Sequence, residues 1–312
     1  MNLKRNYFVV IAGLQILLFS SFVFSKTTVG IVYNTKITFY KQIIDILKEE
    51  VNKQVDCSFV EIQQKGKKNK LISTIIDTMP DFLVCFGDDA AKAGSATDIP
   101  GIFALVSDPQ KIGVIFKDGY PVDRLAGYYW QIAPDKLLTF IYKIDPLKTN
   151  LGIIYSNSSA TFFKDFNEAA KDYSYNVISR KVKKSSEVLK AFNIMNRKRV
   201  DFLFGYADPI VYNRKNIANA ISLAKKNLVS FIGFAPSMTA QGALVSFYVN
   251  EQTLGEQNAE LLVSIINGTE ASGIQTKWIE KFNFSVNLKA AKTLKMDIPE
   301  EILQDATEVI KN

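Results

Sequence analysis

The chain of 312 residues contains no histidine, and this absence narrows its possible chemistry. Histidine is the commonest general base and metal ligand, and its ordinary pKa lies closest to neutral pH. Serine–histidine hydrolysis and histidine-bound zinc are therefore excluded. The sequence also lacks a Gly-x-Gly-x-x-Gly motif, a phosphate-loop Gly-Lys-Ser/Thr motif and a Cys-x-x-Cys motif. We accordingly predict no metal and no cofactor.

The composition is otherwise that of an ordinary globular protein. Hydrophobic residues make up 47% of the chain, and 38 Lys and Arg face 31 Asp and Glu. These proportions exclude a disordered tail, a collagen-like fibre and a disulfide-rich miniprotein. A chain of this length usually forms two domains, because single cores stop growing at roughly 250 to 300 residues.

The first 25 residues have the three parts of a secretory signal peptide. Lys4 and Arg5 precede the apolar residues 7–24, and Val23 and Ser25 are small residues at the positions of a cleavage site. An uncleaved membrane anchor is the alternative, since the apolar stretch just reaches spanning length. No Cys lies near its end, so we predict no lipid anchor. We expect cleavage, export and a periplasmic location in a bacterium.

The positive charge is too small and too scattered to favour nucleic acid. Removal of Lys4 and Arg5 would lower the net charge from +7 to +5. Basic clusters at 65–70, 180–184 and 197–199 have no interleaved aromatic residues for base stacking. We interpret these clusters as solvated loops and helix faces. We predict no nucleic-acid partner.

Short apolar runs alternate with helical periodicity from residue 28 onward. The apolar runs predict strands, and the segments between them carry apolar residues at helical spacing. This alternation is typical of βαβ units and predicts parallel sheets with helices on both faces. The predicted strands are 29–33, 58–62, 82–86 and 102–106, followed by 151–155, 176–181, 202–206 and 229–234.

The second group of strands repeats the first. Gly-Ile-Val-Tyr at 30–33 recurs as Gly-Ile-Ile-Tyr at 152–155, and Asp-Phe-Leu at 81–83 recurs at 201–203. Seven residues beyond each of these aspartates stands another, Asp88 and Asp208. Matches in this order predict an internal duplication. The fold class is therefore α/β, with two similar doubly wound parallel-sheet lobes.

Polar residues follow the predicted strands at matching places in the two lobes. Open α/β sheets bind ligands at the carboxyl ends of their strands, so two facing edges predict a cleft. A helix N-terminus there would receive a carboxylate or phosphate. The same Asn, Ser and Asp residues are also good helix caps, and both roles stay open. The candidate ligand-binding residues are Asn34, Thr35, Asp88, Ser107, Asn157, Ser158, Ser159, Asp208 and Ser237.

Aromatic residues and cysteines also fall on these strands. Ring stacking on a ligand and packing in the core are both open for the aromatic residues that end strands. Cys57 and Cys85 are placed on strands two positions apart, about 4.8 Å per step, which exceeds the usual reach of a disulfide. We predict buried free thiols. The candidate cleft aromatics are Tyr33, Phe86, Tyr155 and Tyr206.

The last third carries a resemblance to a known family. Phe-Ala-Pro-Ser-Met-Thr-Ala-Gln-Gly-Ala-Leu at 234–244, Leu-Gly-Glu-Gln at 254–257 and Ile-Ile-Asn-Gly at 265–268 resemble the periplasmic substrate-binding proteins of ABC transporters, in the family that includes tryptophan and tyrosine binders. Family members often carry an acidic pair where Ala235 and Pro236 stand here. That departure weakens the transfer of an amino-acid ligand to this chain.

The resemblance implies a periplasmic binding protein type I fold with a hinge and an inter-lobe cleft. Three crossovers are implied, near 122–127, 247–250 and 273–277. One lobe would then comprise 26–122 with 248–274, and the other 123–247 with 275–312. The candidate polar residues would line the cleft, and hinge closure would bury the ligand.

These expectations favour a solute-binding protein over an enzyme. The chain is predicted to capture a small molecule, such as an amino acid or similar small anion, as a monomer and to deliver it to an ABC permease in the inner membrane. A sensory protein of the same fold, docking on a receptor or kinase, is the alternative. An enzyme using Asp88 or Asp208 is the weaker hypothesis, because no tuned general base is evident.

Overall fold

The chain forms two β-sheets. A computed structural model describes residues 26–64 and 68–311. The predicted signal segment, residues 1–25, lies outside the described residues, as do residues 65–67 of one basic cluster. Within the described part, every helix falls short of the length and hydropathy that crossing a membrane requires.

The first part of the chain alternates strands and helices, as the sequence predicts. The apolar runs at 29–33, 83–86 and 101–104 form strands because both faces of the sheet are buried there. The elements are β1 (Thr27–Tyr33), α1 (Thr38–Asn52), β2 (Cys57–Gln63), α2 (Lys68–Thr78), β3 (Phe82–Phe86), α3 (Asp88–Gly94), β4 (Gly101–Ala104) and β5 (Leu125–Ile132).

The second part repeats this order. Its elements are α4 (Pro134–Ile144), β6 (Asn150–Tyr155), α5 (Ala160–Asp172), β7 (Asn176–Lys181), α6 (Val188–Arg197), β8 (Phe202–Phe204), α7 (Arg214–Lys226), β9 (Ser230–Gly233), α8 (Pro236–Gln241) and β10 (Val245–Tyr248). The chain then continues through α9 (Glu251–Ile266), β11 (Lys277–Ile279), β12 (Asn283–Asn287), α10 (Leu288–Leu294), α11 (Glu300–Asp305) and β13 (Glu308–Ile310).

The strand orders of the two sheets contain the same four-strand core. The six-stranded sheet has the order β11-β5-β4-β3-β1-β2, and the seven-stranded sheet has β13-β12-β10-β9-β8-β6-β7. Thus β4-β3-β1-β2 corresponds to β9-β8-β6-β7, and all of these neighbours pair in parallel. We call the six-stranded sheet with its helices the first lobe and the seven-stranded sheet with its helices the second lobe. The predicted fold class is confirmed.

Alternate residues of each central strand face two separate cores. Ile31 packs in one cluster with α1 and α9, whereas Val32 packs in another with α2 and α3. Ile153 and Ile154 divide in the same way in the second lobe. Apolar layers on both faces of each sheet explain why the strands read as continuous hydrophobic runs.

The repeated sequence motifs have repeated structural roles. A Cβ on Gly30 would stand 3.0 Å from Pro80, and a Cβ on Gly152 would stand 3.0 Å from Val200. Pro80 and Val200 are each followed by an aspartate whose carboxylate bonds to the first strand of its own lobe. Asp81 accepts the backbone N–H of Thr28 at 2.8 Å, and Asp201 accepts the backbone N–H of Asn150 at 2.9 Å. The duplication therefore preserves how β1 meets β3 and how β6 meets β8.

The chain passes between the sheets at places that only partly match the predicted crossovers. The first passage follows Ile132, because β5 pairs with β4 and β11 in the first lobe and therefore runs past the predicted 122–127. Gly127 is a close-packing position, since a Cβ there would collide with Phe103. The last passage follows Ile279, later than 273–277. The middle passage consists of Val249 and Asn250, between β10 and α9, and lies within the predicted 247–250. The division into two moving units stays a prediction.

Both cysteines lie where the sequence predicts. Cys57 on β2 and Cys85 on β3 are buried and free, with β1 between their strands. Burial raises the pKa of the Cys85 thiol to about 12. Because the thiolate is the reactive form, this cysteine is chemically inert at neutral pH.

Candidate functional site

A cavity of about 340 Å³ lies where the two lobes meet. The first lobe contributes Phe39 at the start of α1 and Leu254 of α9. The second lobe contributes the ends of β8 and β9 with the residues that follow them, 204–207 and 233–236. The end of β5 at 130–132, and the end of β10 with the following passage at 247–251, also line it. A volume of this size suits one small metabolite.

Aromatic rings form much of the cavity wall. They come from both lobes, so that no single element of the fold creates the site. Phe39 is 37% exposed, although it sits at an apolar position of α1, because its ring faces this opening. The aromatic wall residues include Phe39, Trp130, Phe162, Tyr206, Phe234 and Phe247.

Tyr206 is the one predicted site residue that lines this cavity among the described residues. Its hydroxyl donates to the carbonyl of Ile154 at 3.1 Å and lies 3.2 Å from Ser159 Oγ. Burial raises the pKa of this hydroxyl well above its ordinary value. Tyr206 therefore presents a fixed, neutral ring to the cavity.

The other predicted aromatics have partners within their own lobes. Tyr33 donates to Glu61 Oε2 at 2.5 Å, and the Phe86 ring packs 5.6 Å from that of Tyr40. Tyr155 stacks on Phe163 at 3.9 Å. These three rings lie at strand ends outside the cavity lining, and stacking on a ligand stays a prediction for them.

Asp208 serves as a structural tie at the end of β8. It is 1% exposed, and its carboxylate accepts hydrogen bonds from the backbone N–H of Ser156 at 2.9 Å and from Ser159 Oγ at 2.5 Å. The backbone N–H groups of Ile210 and Val211 donate to its other oxygen, at 2.9 and 3.2 Å. Each carboxylate oxygen thus accepts two hydrogen bonds within the second lobe.

Asp88 is tied in a similar way in the first lobe. Its carboxylate accepts the backbone N–H of Ser107 at 2.9 Å and the Ser107 hydroxyl at 2.7 Å. This pair joins the start of α3 to the loop after β4 and stays partly open to solvent. The two residues were both predicted as ligand-binding, and the structure brings them to each other.

The remaining predicted polar residues lie at strand ends outside the cavity lining. Asn34 Oδ1 accepts the backbone N–H of Lys36 at 3.0 Å, and Thr35 is exposed beside it. Ser158 donates its backbone N–H to Ser156 Oγ at 3.0 Å, next to Asn157, and Ser237 is exposed on α8. A ligand role for these residues stays a prediction.

Two hydrogen bonds connect the lobes directly beside this strand edge. Asp108, 4% exposed in the loop after β4, accepts a hydrogen bond from Thr161 Oγ1 of α5 at 2.6 Å. Lys111 Nζ donates to the carbonyl of Asn157 at 3.2 Å. The other oxygen of Asp108 accepts the Lys111 backbone N–H at 3.0 Å within its own loop.

Sequence reasoning missed most of the cavity wall. Trp130 and Phe247 lie near the ends of β5 and β10, next to the passages between the lobes. The signal that was available is the run Tyr-Tyr-Trp at 128–130, an aromatic cluster near a predicted crossover. Among the described residues no cluster of acidic and cysteine side chains could hold a metal ion.

Comparisons with known proteins agree with this arrangement of two similar lobes around one cavity. The sequence profile of the ABC transporter substrate binding protein family matches residues 28–310. The chain belongs to this family. The match covers nearly all of the described residues, including both lobes and every passage between them.

Individual relatives are distant. A tyrosine-binding protein of Clostridioides difficile is 23% identical over 231 residues, which is 72% of this chain and 66% of that protein's own length. The structure of an ABC domain in complex with L-Trp from Streptococcus pneumoniae has 21% identity and a TM-score of 0.64, covering 92% of this chain and 100% of the other.

A ligand-free, open substrate binding protein with adhesive properties from Clostridium difficile gives a TM-score of 0.70 at 21% identity, covering 92% of this chain and 100% of the other. Identities this low establish the fold alone. The binding proteins of this family share the two-lobed architecture of the present chain.

Proposed function

We propose that this chain is the solute-binding component of an ABC import system and captures one small molecule in the cavity between its lobes. The observation that carries the proposal is the composition of the cavity wall. Residues of the first lobe, the second lobe and the middle passage between them all line one space of about 340 Å³. A site assembled from both lobes is completed or opened by their relative movement.

The proposed movement is closure about the three passages between the lobes. Each passage is short: β5 leads into α4 through Ala133, and β10 leads into α9 through Val249 and Asn250. The Asp108–Thr161 hydrogen bond at 2.6 Å would form on closure and break on opening. A solute bound between the lobes shifts this equilibrium because it contacts both of them only in the closed state.

Membership of the family supports the proposed location and partner. We infer export by the signal segment of residues 1–25 into the periplasm and delivery of the solute to an ABC permease. The names of the relatives make an amino acid the first solute to test. The alternative is a sensory role, in which the closed form docks on a receptor or kinase. A pull-down with the closed protein would reveal such a partner. An enzymatic role for Asp88 or Asp208 is not supported, since both carboxylates are bonded within their own lobes.

Small-angle scattering combined with native mass spectrometry tests the proposal. Mass spectrometry of freshly purified protein identifies a co-purified solute by its added mass, and scattering compares the radius of gyration with and without that solute. We expect one solute per chain and a smaller radius when it is bound. A tight ligand that leaves the radius unchanged would contradict capture by closure.

A further inference from the structure

The outer end of the first lobe, opposite the cavity, exposes large apolar side chains. Ile76 is 52% exposed in the last turn of α2, and Met79 is 81% exposed in the loop that follows. With Pro80 and the loop 96–99 they line a groove of about 430 Å³. Single exposed apolar side chains are ordinary, but a group of them around one groove marks a surface that contacts a partner.

This apolar surface continues along the same edge of the sheet toward β5. Tyr120 and Val122 are exposed in the loop that leads into β5. β3, β4 and β5 are parallel neighbours, so the loops before them lie side by side at this edge. Arg124 Nη1 donates to the carbonyl of Asp98 at 3.2 Å, which joins the loop of Val122 to the groove.

The duplicated second lobe shows that the fold does not require apolar residues in the groove. Met79 and Arg199 occupy the same turn, because each has a positive φ, 46° and 54°, and each stands two residues before the aspartate that bonds to the first strand of its lobe. Counted from the same aspartates, Ile76 corresponds to Asn196. The second lobe thus carries a charged and a polar side chain where the first lobe exposes two apolar ones. This difference indicates a contact that only the first lobe makes.

The N-terminal segment joins the first lobe beside the groove. The backbone N–H of Thr28 donates to Asp81 at 2.8 Å, two residues after Met79, so the start of β1 lies next to the groove. The apolar residues 7–24 end three residues before β1 begins at Thr27. Three residues of chain span at most about 11 Å. A membrane that holds residues 7–24 would therefore lie against this end of the first lobe.

We propose that residues 7–24 stay in the membrane as an anchor and that the groove beside Met79 lies on the bilayer surface. An uncleaved anchor is the alternative that the sequence leaves beside cleavage, and Lys4 and Arg5 before the apolar stretch orient it with the lobes on the outer side of the membrane. Tyrosine is enriched at membrane interfaces, as Tyr120 would be here, and apolar side chains gain burial there. Export still places both lobes in the periplasm, so the proposed capture of a solute does not depend on this inference.

Fractionation of a bacterium that produces the chain with its own N-terminus tests the anchor. We expect the protein in the membrane fraction, with an intact mass that corresponds to all 312 residues. A chain that begins at Lys26 and is recovered in the soluble periplasmic fraction would overturn the proposal.

A fluorophore on Met79→Cys tests the contact with lipid. Cys57 and Cys85 are buried, so a thiol-reactive dye labels the new exposed cysteine. The full chain is reconstituted in phosphatidylcholine vesicles, with or without bromine on the acyl chains, because bromine quenches only a dye that reaches the lipid. We expect the brominated lipid to lower the emission at least twofold.

Two labelled variants of the second lobe are the matched controls. Arg199→Cys places the dye in the equivalent turn, and Leu147→Cys places it at an exposed apolar position before β6, at the outer end of the second lobe. Neither should be quenched, since neither lies beside the N-terminal segment. Equal quenching at all three positions, or none at Met79→Cys, would overturn the contact between the groove and the bilayer, with circular dichroism confirming the fold of each variant.

Polar substitutions around the labelled residue separate an apolar contact from proximity to the anchor alone. Ile76→Asn, which takes the residue of the second lobe, is combined with Val122→Asn in the Met79→Cys chain. Both side chains are exposed, so the fold should be retained. We expect the quenching to fall by at least half. Unchanged quenching would show that the anchor alone sets the distance to the lipid and would refute the role of the apolar surface.

Discussion

Replacing Asp208 by Ala should destabilise the protein, and this change separates a structural carboxylate from a ligand-binding one. Asp208 is 1% exposed and accepts hydrogen bonds from Ser156, Ser159, Ile210 and Val211. In the variant the Ser159 hydroxyl can still bond to Tyr206, and the half-buried Ile210 N–H can reach water. The backbone N–H of Ser156 keeps a second acceptor in Ser159 Oγ at 3.3 Å, whereas the backbone N–H of Val211 is buried and would stay unpaired.

The expected loss follows from that one buried donor. An unsatisfied buried donor costs about 1–3 kcal/mol, so the variant should have a free energy of unfolding lower by about 2 kcal/mol. Urea unfolding followed by circular dichroism measures this change. Asp88→Ala is the matched control, because its donors from Ser107 are open to solvent and water can replace the carboxylate, so its loss should stay below about 1 kcal/mol.

The contrary result is equally specific. If Asp208→Ala unfolds at the same urea concentration as the wild type but binds the co-purified solute at least tenfold more weakly, Asp208 is a ligand residue. The sequence-based role would then be correct, and the assignment of its hydrogen bonds to the fold alone would be wrong.

Further changes test the ion cluster, the contact between lobes and the strand packing. Hydrogen bonds from Lys48 and then Tyr33 lower the pKa of Glu61 to about 2. The contribution of Glu61 to stability is therefore present above pH 4.5 and is lost as the pH falls toward 2. In an acid titration followed by circular dichroism, the Glu61→Gln variant should lose less stability over that range than the wild type. Thr161→Val removes the donor to Asp108 and should enlarge the radius of gyration of the solute-bound protein, whereas Thr161→Ser should not. Gly127→Ala forces a Cβ against β4 and should cost about 1–3 kcal/mol in urea unfolding.

Each of these has a result that would count against its reasoning. Equal acid sensitivity of the wild type and Glu61→Gln would mean that the ion cluster does not stabilise the fold. A radius for Thr161→Val equal to that of the wild type would mean that the contact with Asp108 does not hold the lobes together. A Gly127→Ala variant as stable as the wild type would show that β5 can move away from β4 at no cost.

The duplicated core could be predicted because its sequence constraints are local and repeated. A strand buried on both faces needs a continuous apolar run, and Gly30 and Gly152 recur because the same close approach is needed in each lobe. The outer strands could not be predicted in this way. β5 is half-exposed over much of its length, and β11 and β13 have three residues each, so neither shows a clear period.

The candidate site was harder to predict than the fold, because the sequence does not tell which polar groups the fold itself consumes. Asp88 and Asp208 stand at the expected strand ends, but Ser107 and Ser159 occupy their oxygens. The cavity wall is built from residues far apart in sequence, such as Phe39 and Phe247. Only the packing of the two lobes brings such residues to one space.

The claim that one cavity between the lobes holds the solute is tested most directly by filling that cavity. Ala235 lies on its wall, whereas Ala240 on the neighbouring turn of α8 is exposed and outside it. Native mass spectrometry of Ala235→Trp and Ala240→Trp, purified like the wild type, measures the solute that each retains. The account predicts that Ala240→Trp keeps the added mass of the wild type and that Ala235→Trp loses it. An Ala235→Trp protein that retains the full added mass would contradict the account.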